Sequence, residues 1–490
     1  MLTDNPLSSI GLRADKKIRG IHINLAKMLR DETNATIHVY CSQPQDVKAY
    51  EEYNQDGLFA SITQADVMAT SALNADGHPD QVLTRAQEWE RRLDQSLSRF
   101  IMTDRHLGRS YSLGGFNHPR SPFSENTNFI QALEGVCTSL DFWQREIEKR
   151  NLSLLLNVSK VTGSIAAYNG VPTRSLTTSK IDNYHFWATD EFSANPAFEK
   201  RFNEISTADR VELTAPYHKA NLQRSTFFKK SGYMSMARAI IRRVAKHYYR
   251  RMLGGRSYYL SEELKYEYRM ALAMRQIKRR GHTPLSSLRG KPFVYFPLQE
   301  EPETALTVQS PEHMYQLGAI ASLARDLPAG VRLAVKETPY AFGRRTDNFY
   351  DQICEFKNVV WLDVVETGLD VIREATAVAT ISGTGGFEGA LMGKPIISFG
   401  RHNFWNFIPH VSVVRDEADI ANQLSRALSS PHARKEDIAN GARAMQAIID
   451  CSFDLPELYD SGGLESTESA SNNTQAIRNL YTALIQSFDS

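Results

Sequence analysis

The sequence predicts an α/β fold of two doubly wound sheets with a basic helical insertion between them, and three features carry that expectation. The first is length. At 490 residues with 42% hydrophobic side chains, the chain holds apolar material for two cores, at about 100 to 200 residues per domain. The second is an alternation of short apolar runs with helical stretches, which marks parallel sheets crossed by helices. The third is a concentration of positive charge in the middle. Between Lys219 and Lys291 nineteen Lys and Arg face three acids (Glu262, Glu263 and Glu267), a local charge of +16 in a chain of net +1, so the remainder carries −15.

In the first unit, residues 1–205, "ATIHVYC", "RFIMTD", "LSLLLN" and "TRSLTT" read as strands, and "KIRGIHINLAKMLRD", "FIQALEGVCTSLDFWQREIEKR" and "VTGSIAAYNG" as helices. Residues 206–290 form the basic, aromatic segment. Within it "MARAIIRRVAKHYYRRML" sets Ala237, Ile240, Ile241, Val244 and Tyr248 at helical spacing, with Arg238, Arg242, Arg243, Lys246, Arg250 and Arg251 over the remaining surface. Such a helix suits an anionic membrane surface or a lipid-linked acceptor. A solvated helix packed on its own domain is the plainer alternative, and nucleic acid is not expected as a partner. Residues 291–450 restart the alternation more cleanly, with "PFVYFPL", "VRLAVKE", "NVVWLD", "AVATIS" and "PIISFG" as strands separated by helices. A polar, serine-rich linker and a last helix, "AIRNLYTALIQSF", occupy residues 451–490.

Composition narrows the setting. The four cysteines, Cys41, Cys137, Cys354 and Cys451, include no CxxC pair, which argues against a disulfide framework or a zinc site and for a reducing compartment. No stretch approaches the ~18 apolar residues of a membrane span, and the start of the chain lacks the apolar core of a signal peptide. A cytoplasmic protein, peripheral at most on the inner membrane face, is the expectation. The sequence has no metal-ligand spacing and no DxD triplet, so neither metal nor cofactor is expected.

The stretch "TISGTGGFEGALMGKPIISFG", residues 380–400, concentrates the candidate chemistry. An apolar strand runs into Ser382, Gly383, Thr384, Gly385 and Gly386 and then into a helix, which puts these residues where open α/β sheets bind ligands. Glycines allow close backbone approach, and a helix N-terminus offers unpaired N–H groups at a positive dipole end. A phosphate is the anion such a loop suits. The spacing is neither the Walker pattern nor G-x-G-x-x-G, so neither ATP hydrolysis nor a dinucleotide is indicated. Glu388, in the first turns of the helix, is placed to accept hydrogen bonds from a ribose. It reads equally as a first-turn acid or a cap partner for Thr384.

Taken in order and spacing, "FVYFPLQEEPETAL", "VKETPYAFGRRTDNFYDQI", "NVVWLD" and the glycine stretch resemble the capsule polysaccharide biosynthesis glycosyltransferases, a group that includes bacterial Kdo transferases. The likeness covers about 110 residues of the second unit, and "TDRHLGRSYSLGG" of the first unit is similar to a motif of related surface-polysaccharide proteins. The resemblance implies a GT-B-like architecture and transfer of a sugar from a nucleotide-sugar substrate to a polysaccharide or glycolipid acceptor, with the nucleotide on the second unit. One departure stands out. Relatives that use CMP-activated acidic sugars carry Lys-x-His-Pro where this chain has "KETP", so Thr338 replaces a phosphate-contacting histidine, while Lys336, Pro339, Gly343 and Arg345 still match. A hydroxyl hydrogen-bonds a phosphate without an imidazolium's charge. That makes a UDP-sugar, or a lost activity, more credible, with Lys336 and Arg345 as the alternative cations.

Glycosyl transfer also needs a base for the acceptor hydroxyl. Asp104 and His106, expected to follow the strand "RFIM" beside pliable Gly114 and Gly115, are the catalytic candidates, with Asp104 first. Glu301 and Glu303 in "EEPE" are candidates for sugar hydroxyls at the cleft rim. His185 reads as packing. A nucleotide-sugar 2-epimerase-like isomerase and a non-catalytic polysaccharide- or membrane-binding relative remain as alternatives on the same fold.

Overall fold

The computed structural model describes residues 6–14, 18–54, 56–65, 67–108, 119–209, 233–252, 258–279, 282–301, 303–338, 341, 344–346, 348–429, 434–455 and 474–488. The first unit contributes strands β1 (Ser9–Ala14), β2 (Thr36–Cys41), β3 (Ser61–Gln64), β4 (Leu154–Leu156), β5 (Thr173–Thr178) and β6 (Tyr184–Ala188). The second contributes β7 (Phe293–Pro297), β8 (Arg332–Lys336), β9 (Val359–Trp361), β10 (Ala377–Thr380), β11 (Ile396–Ser398) and β12 (Val411–Val413), and the chain returns as β13 (Phe453–Asp454). The fold is α/β with two doubly wound sheets. The first has the order β13-β6-β5-β4-β1-β2-β3 and the second β12-β11-β10-β7-β8-β9. The second sheet is parallel throughout. In both, chain order reverses between the first and fourth strands, the topological switch point where open sheets of this kind bind ligands.

Local sequence explains the elements that frame this crevice. The β10 residues "AVAT" and the β4 residues "LLL" are buried on both faces, as strands covered by helices on either side require. The helix Phe129–Arg150 opens with an Asn128–Gln131 capping box and ends at left-handed Asn151 (φ 49°). Its buried Leu133, Val136, Cys137, Leu140 and Ile147 recur at three- and four-residue intervals, the stripe that seats a helix on a sheet.

Two expectations are corrected. "RFIM" is not a strand. It lies in the helix Ser98–Thr103, because Leu97, Phe100 and Ile101 are buried at helical spacing while Met102 is exposed. The arginine-rich helix, Tyr233–Met252, does not bury the face first read as apolar. It pairs with the helix Leu260–Arg279, and the contact carries charge: Arg243 Nε donates to Glu267 at 2.9 Å, and His247 Nδ1 lies 2.9 Å from Glu263 Oε2. Ile241 and Tyr248 are 68% and 54% exposed, because burying Arg243 and His247 against the acids turns them outward.

The two units share an apolar cluster in which Ile181, Phe186, Phe198 and Phe202 of the first meet Phe387, Trp405, Ile408 and Ile448 of the second. Phe192 stacks on His402 with centroids 4.0 Å apart. The end of the chain builds back onto the first unit. β13 pairs antiparallel with β6, and the helix Thr474–Gln486 buries Ile477, Leu480 and Leu484 in the first core. Trp187 Nε1 donates to Leu480 O at 3.0 Å. His185, buried in β6, lies with Nδ1 2.7 Å from Asn183 O.

Candidate functional site

At the second switch point the chain leaves β10, passes Ser382 and Gly383 and enters the helix Thr384–Leu391. Gly383 N–H donates to Thr380 Oγ1 at 3.2 Å, and Gly386 N–H donates back to Gly383 O at 3.1 Å. Among the described residues the Thr384 and Gly385 amides find no acceptor, and Thr384 is exposed. These are the orphan donors at the positive end of a helix. The glycines serve packing as much as any ligand. A Cβ on Gly386 would stand 2.1 Å from Thr380 Cγ2, and one on Gly385 3.1 Å from Pro297 Cγ, so the helix sits directly on the ends of β10 and β7. The Ser382 hydroxyl is buried and donates to Gln299 Oε1 at 3.2 Å, which turns it toward the strand ends.

Arg345 and Glu301, read as a phosphate ligand and a rim acid, belong to a buried ion network below this loop. Arg345 Nε and Nη2 grip Glu337 at 2.9 and 3.0 Å, Nη2 also donates to Gln299 O at 2.6 Å, and Nη1 lies 3.1 Å from Glu301. Tyr350 Oη and the Thr338 amide complete Glu337 at 2.9 and 2.8 Å, and Gln316 Nε2 donates to Glu301. Burial disfavours the Arg345 charge, but Glu337 and Glu301 hold its pKa above the ordinary value, while burial raises that of Glu301. Buried charges persist only when paired and hydrogen-bonded in this way. Lys336 ends β8, its Nζ 3.5 Å from Glu337 O. Thr338 is half-buried beside it, and Pro339 and Gly343 lie outside the described residues.

Facing the glycine loop across the cleft is a residue that the sequence did not flag. Lys180, between β5 and β6 and at φ 65°, donates from Nζ to Ser382 O at 2.8 Å. Burial lowers its pKa to about 8 against the opposing pull of Glu303 and Glu388, and burial raises that of Glu388 to about 7 against the pull of Lys180. No protein donor reaches the Glu388 carboxylate among the described residues. Glu303 has a raised pKa through burial and Glu300, opposed by Lys180, Arg344 and Arg105. The cleft therefore gathers Arg105 and Lys180 of the first unit with Glu303 and Glu388 of the second. "TTSKIDN" carried no motif, and only the fold brings Lys180 here.

Asp104 caps the end of its helix, accepting from the His106 and Leu107 amides at 2.7 and 2.9 Å. His106 is packed between Phe123 and Tyr258, both with centroids 5.1 Å away, and its Nδ1 is 3.3 Å from Ser121 Oγ. Gly114 and Gly115 lie outside the described residues. Among those residues no group of three or more His, Cys, Asp or Glu side chains is arranged to hold a metal ion, and no helix is long and apolar enough to cross a membrane.

Residues 200–408, which span the paired helices Tyr233–Met252 and Leu260–Arg279, the ion network and the glycine loop, match the family described as capsule polysaccharide biosynthesis protein. The match takes in the second sheet through the glycine loop and stops short of its last strand, Val411–Val413. No curated protein matches the chain. Among solved structures, the chain is similar to the Thermosulfurimonas dismutans KpsC beta Kdo 2,4 transferase at 13% identity, over 59% of this chain and 78% of that one (TM-score 0.29). It is also similar to Anabaena HepE in complex with UDP and glucose (11%, 95% and 100%, TM-score 0.29). The UDP-GlcNAc 2-epimerase from Methanocaldococcus jannaschii is a third (11%, 90% and 98%, TM-score 0.25). All three are distant.

Proposed function

We propose that this protein is a glycosyltransferase of capsule polysaccharide biosynthesis that moves a sugar from a nucleotide sugar to a surface polysaccharide or glycolipid acceptor. The observation that carries the reading is the pair of Thr384 and Gly385 amides at the switch point, which meet no acceptor among the described residues, one helical turn from the Glu388 carboxylate, which meets no donor among them. Amides at a helix N-terminus take the donor's phosphate, and a desolvated carboxylate beside them takes ribose hydroxyls. Lys336 adds positive charge from the end of β8. Arg345 acts indirectly, by fixing Gln299 and so the loop.

In the reaction the bond from the anomeric carbon to the phosphate oxygen breaks, its electron pair leaves with the nucleotide, and the acceptor oxygen bonds to that carbon as its proton passes to a base. Asp104 is the base in this reading, with Glu303 at the sugar. The exposed face of the arginine-rich helix combines Met234, Ile241, Tyr248, Tyr249 and Met252 with Arg238, Arg242 and Arg251. This combination suits an anionic membrane surface presenting the acceptor.

Incubation with a panel of UDP- and CMP-sugars, with and without bacterial membrane extract, tests the proposal. Extract-dependent nucleotide release is expected. Conversion of the sugar without release would mean an epimerase, and no turnover with any donor would mean a binding protein.

A further inference from the structure

The loop that delivers Lys180 is built rather than loose. Ser179 is fully buried, its amide donates to Tyr184 O at 2.9 Å and its hydroxyl accepts from Ile181 N–H at 3.2 Å. Ile181 is anchored in the cluster shared by the two units. Lys180 adopts φ 65°, a conformation that non-glycine residues take at a cost and that a surrounding structure must enforce.

What this enforced geometry delivers is a cation to the positive end of a helix, the end that favours anions. An ammonium carries three N–H donors. One meets the Ser382 carbonyl at 2.8 Å, and among the described residues the other two meet no acceptor. Glu303 and Glu388 offset the charge through space without hydrogen-bonding it. A lysine stem is long enough to carry its head into water, yet this half-buried one turns its ammonium onto the carbonyl of Ser382, the residue before the helix cap Gly383.

We infer that Lys180 is the first unit's contribution to the donor-phosphate site, its ammonium binding the phosphate of the nucleotide sugar opposite the Thr384 and Gly385 amides. The inference rests on the donor-site reading above and adds to it a ligand from the other unit, so that the phosphate is gripped from both sides of the cleft. As the bond from the anomeric carbon to oxygen breaks, the departing phosphate gains one negative charge. The ammonium stabilises that charge without giving up a proton.

Calorimetric titration of UDP, CMP, uridine and cytidine onto the full chain tests this, comparing wild type with Lys180→Met and Lys180→Arg. Lys180→Met is expected to weaken UDP and CMP ten- to a hundredfold while uridine and cytidine change less than twofold, because only the phosphate loses a partner. Lys180→Arg, which keeps the charge, is expected to retain most of the affinity. Equal nucleotide affinity in wild type and Lys180→Met overturns the inference and leaves the donor site standing. So does a parallel loss for nucleosides and nucleotides with a lowered melting temperature, which would mark Lys180 as an interdomain strut. A wild-type chain that binds no nucleotide overturns the donor-site reading itself, and the role of Lys180 with it.

Discussion

Arg345 and Glu337 form a two-pronged buried pair, Nε to Oε2 at 2.9 Å and Nη2 to Oε1 at 3.0 Å, with both side chains almost wholly removed from water. Removing one partner of such a pair strands the other as a buried charge, at a cost of about 3–5 kcal/mol. Glu337→Ala is therefore expected to lower the unfolding free energy of the second unit by that amount, read from its denaturant curve. Arg345→Lys, which loses the fork, is expected to destabilise while leaving UDP affinity of the folded protein within about threefold. A variant that folds normally but loses nucleotide would return Arg345 to the role first read from its sequence position.

Glu388 gives a pH-dependent prediction. Its folded-state pKa is raised from 4.5 to about 7 by burial, so the stability it contributes is complete below the unfolded value and lost as pH rises through 7. Glu388→Gln imitates the protonated form. It is expected to melt like wild type near pH 4 and several degrees higher at pH 8, a gain of at most about 3 kcal/mol. Melting curves across pH 4–8 check this, and a difference that stays flat would contradict it. The same variant is expected to weaken UDP and CMP more than inorganic phosphate.

Asp104→Asn separates a base from a cap. Asparagine keeps an oxygen for the His106 and Leu107 amides, so the melting temperature is expected to hold while transfer falls about a hundredfold or more, with donor affinity unchanged. Normal transfer by a well-folded variant would leave Asp104 as a helix cap alone.

The arginine-rich helix Tyr233–Met252 gives the membrane prediction. Binding to vesicles rich in phosphatidylglycerol is expected to weaken steeply toward ~0.5 M salt as the Debye length shortens. Replacing Arg238, Arg242 and Arg251 with Gln removes about 3 kcal/mol, roughly a hundredfold, without touching the half-buried Arg243–Glu267 contact. Cosedimentation that is indifferent to both salt and substitution would exclude an electrostatic membrane surface.

The second sheet was legible because buried parallel strands are continuous apolar runs, and "FVYFP" or "AVAT" between turn residues admits little else. "RFIM" was not, since a four-residue apolar run fits a helical turn as well as a strand and only the placement of Leu97 decides it. Polar burial defeated the sequence more deeply. Nothing in "KETPYAFGRR" says that Glu337 turns back to hold Arg345, and nothing in "EEPE" says that Glu301 is inside while Glu303 faces the cleft. The outward turn of Ile241 follows from acids on the next helix. Lys180 was invisible because its meaning lies in a contact across 202 positions of sequence, made by an interdomain cluster that no local pattern encodes.

Thr384 offers the most direct test of the donor site. It is exposed at the start of its helix, where an acidic side chain is favoured by the dipole, so Thr384→Glu is expected to fold as well as wild type or slightly better. The same carboxylate would occupy the place assigned to the phosphate. Calorimetric titration of UDP and CMP onto this variant decides the matter: a loss of at least a hundredfold in affinity at an unchanged or higher melting temperature is the predicted result, and wild-type affinity would contradict the assignment of the nucleotide to this loop.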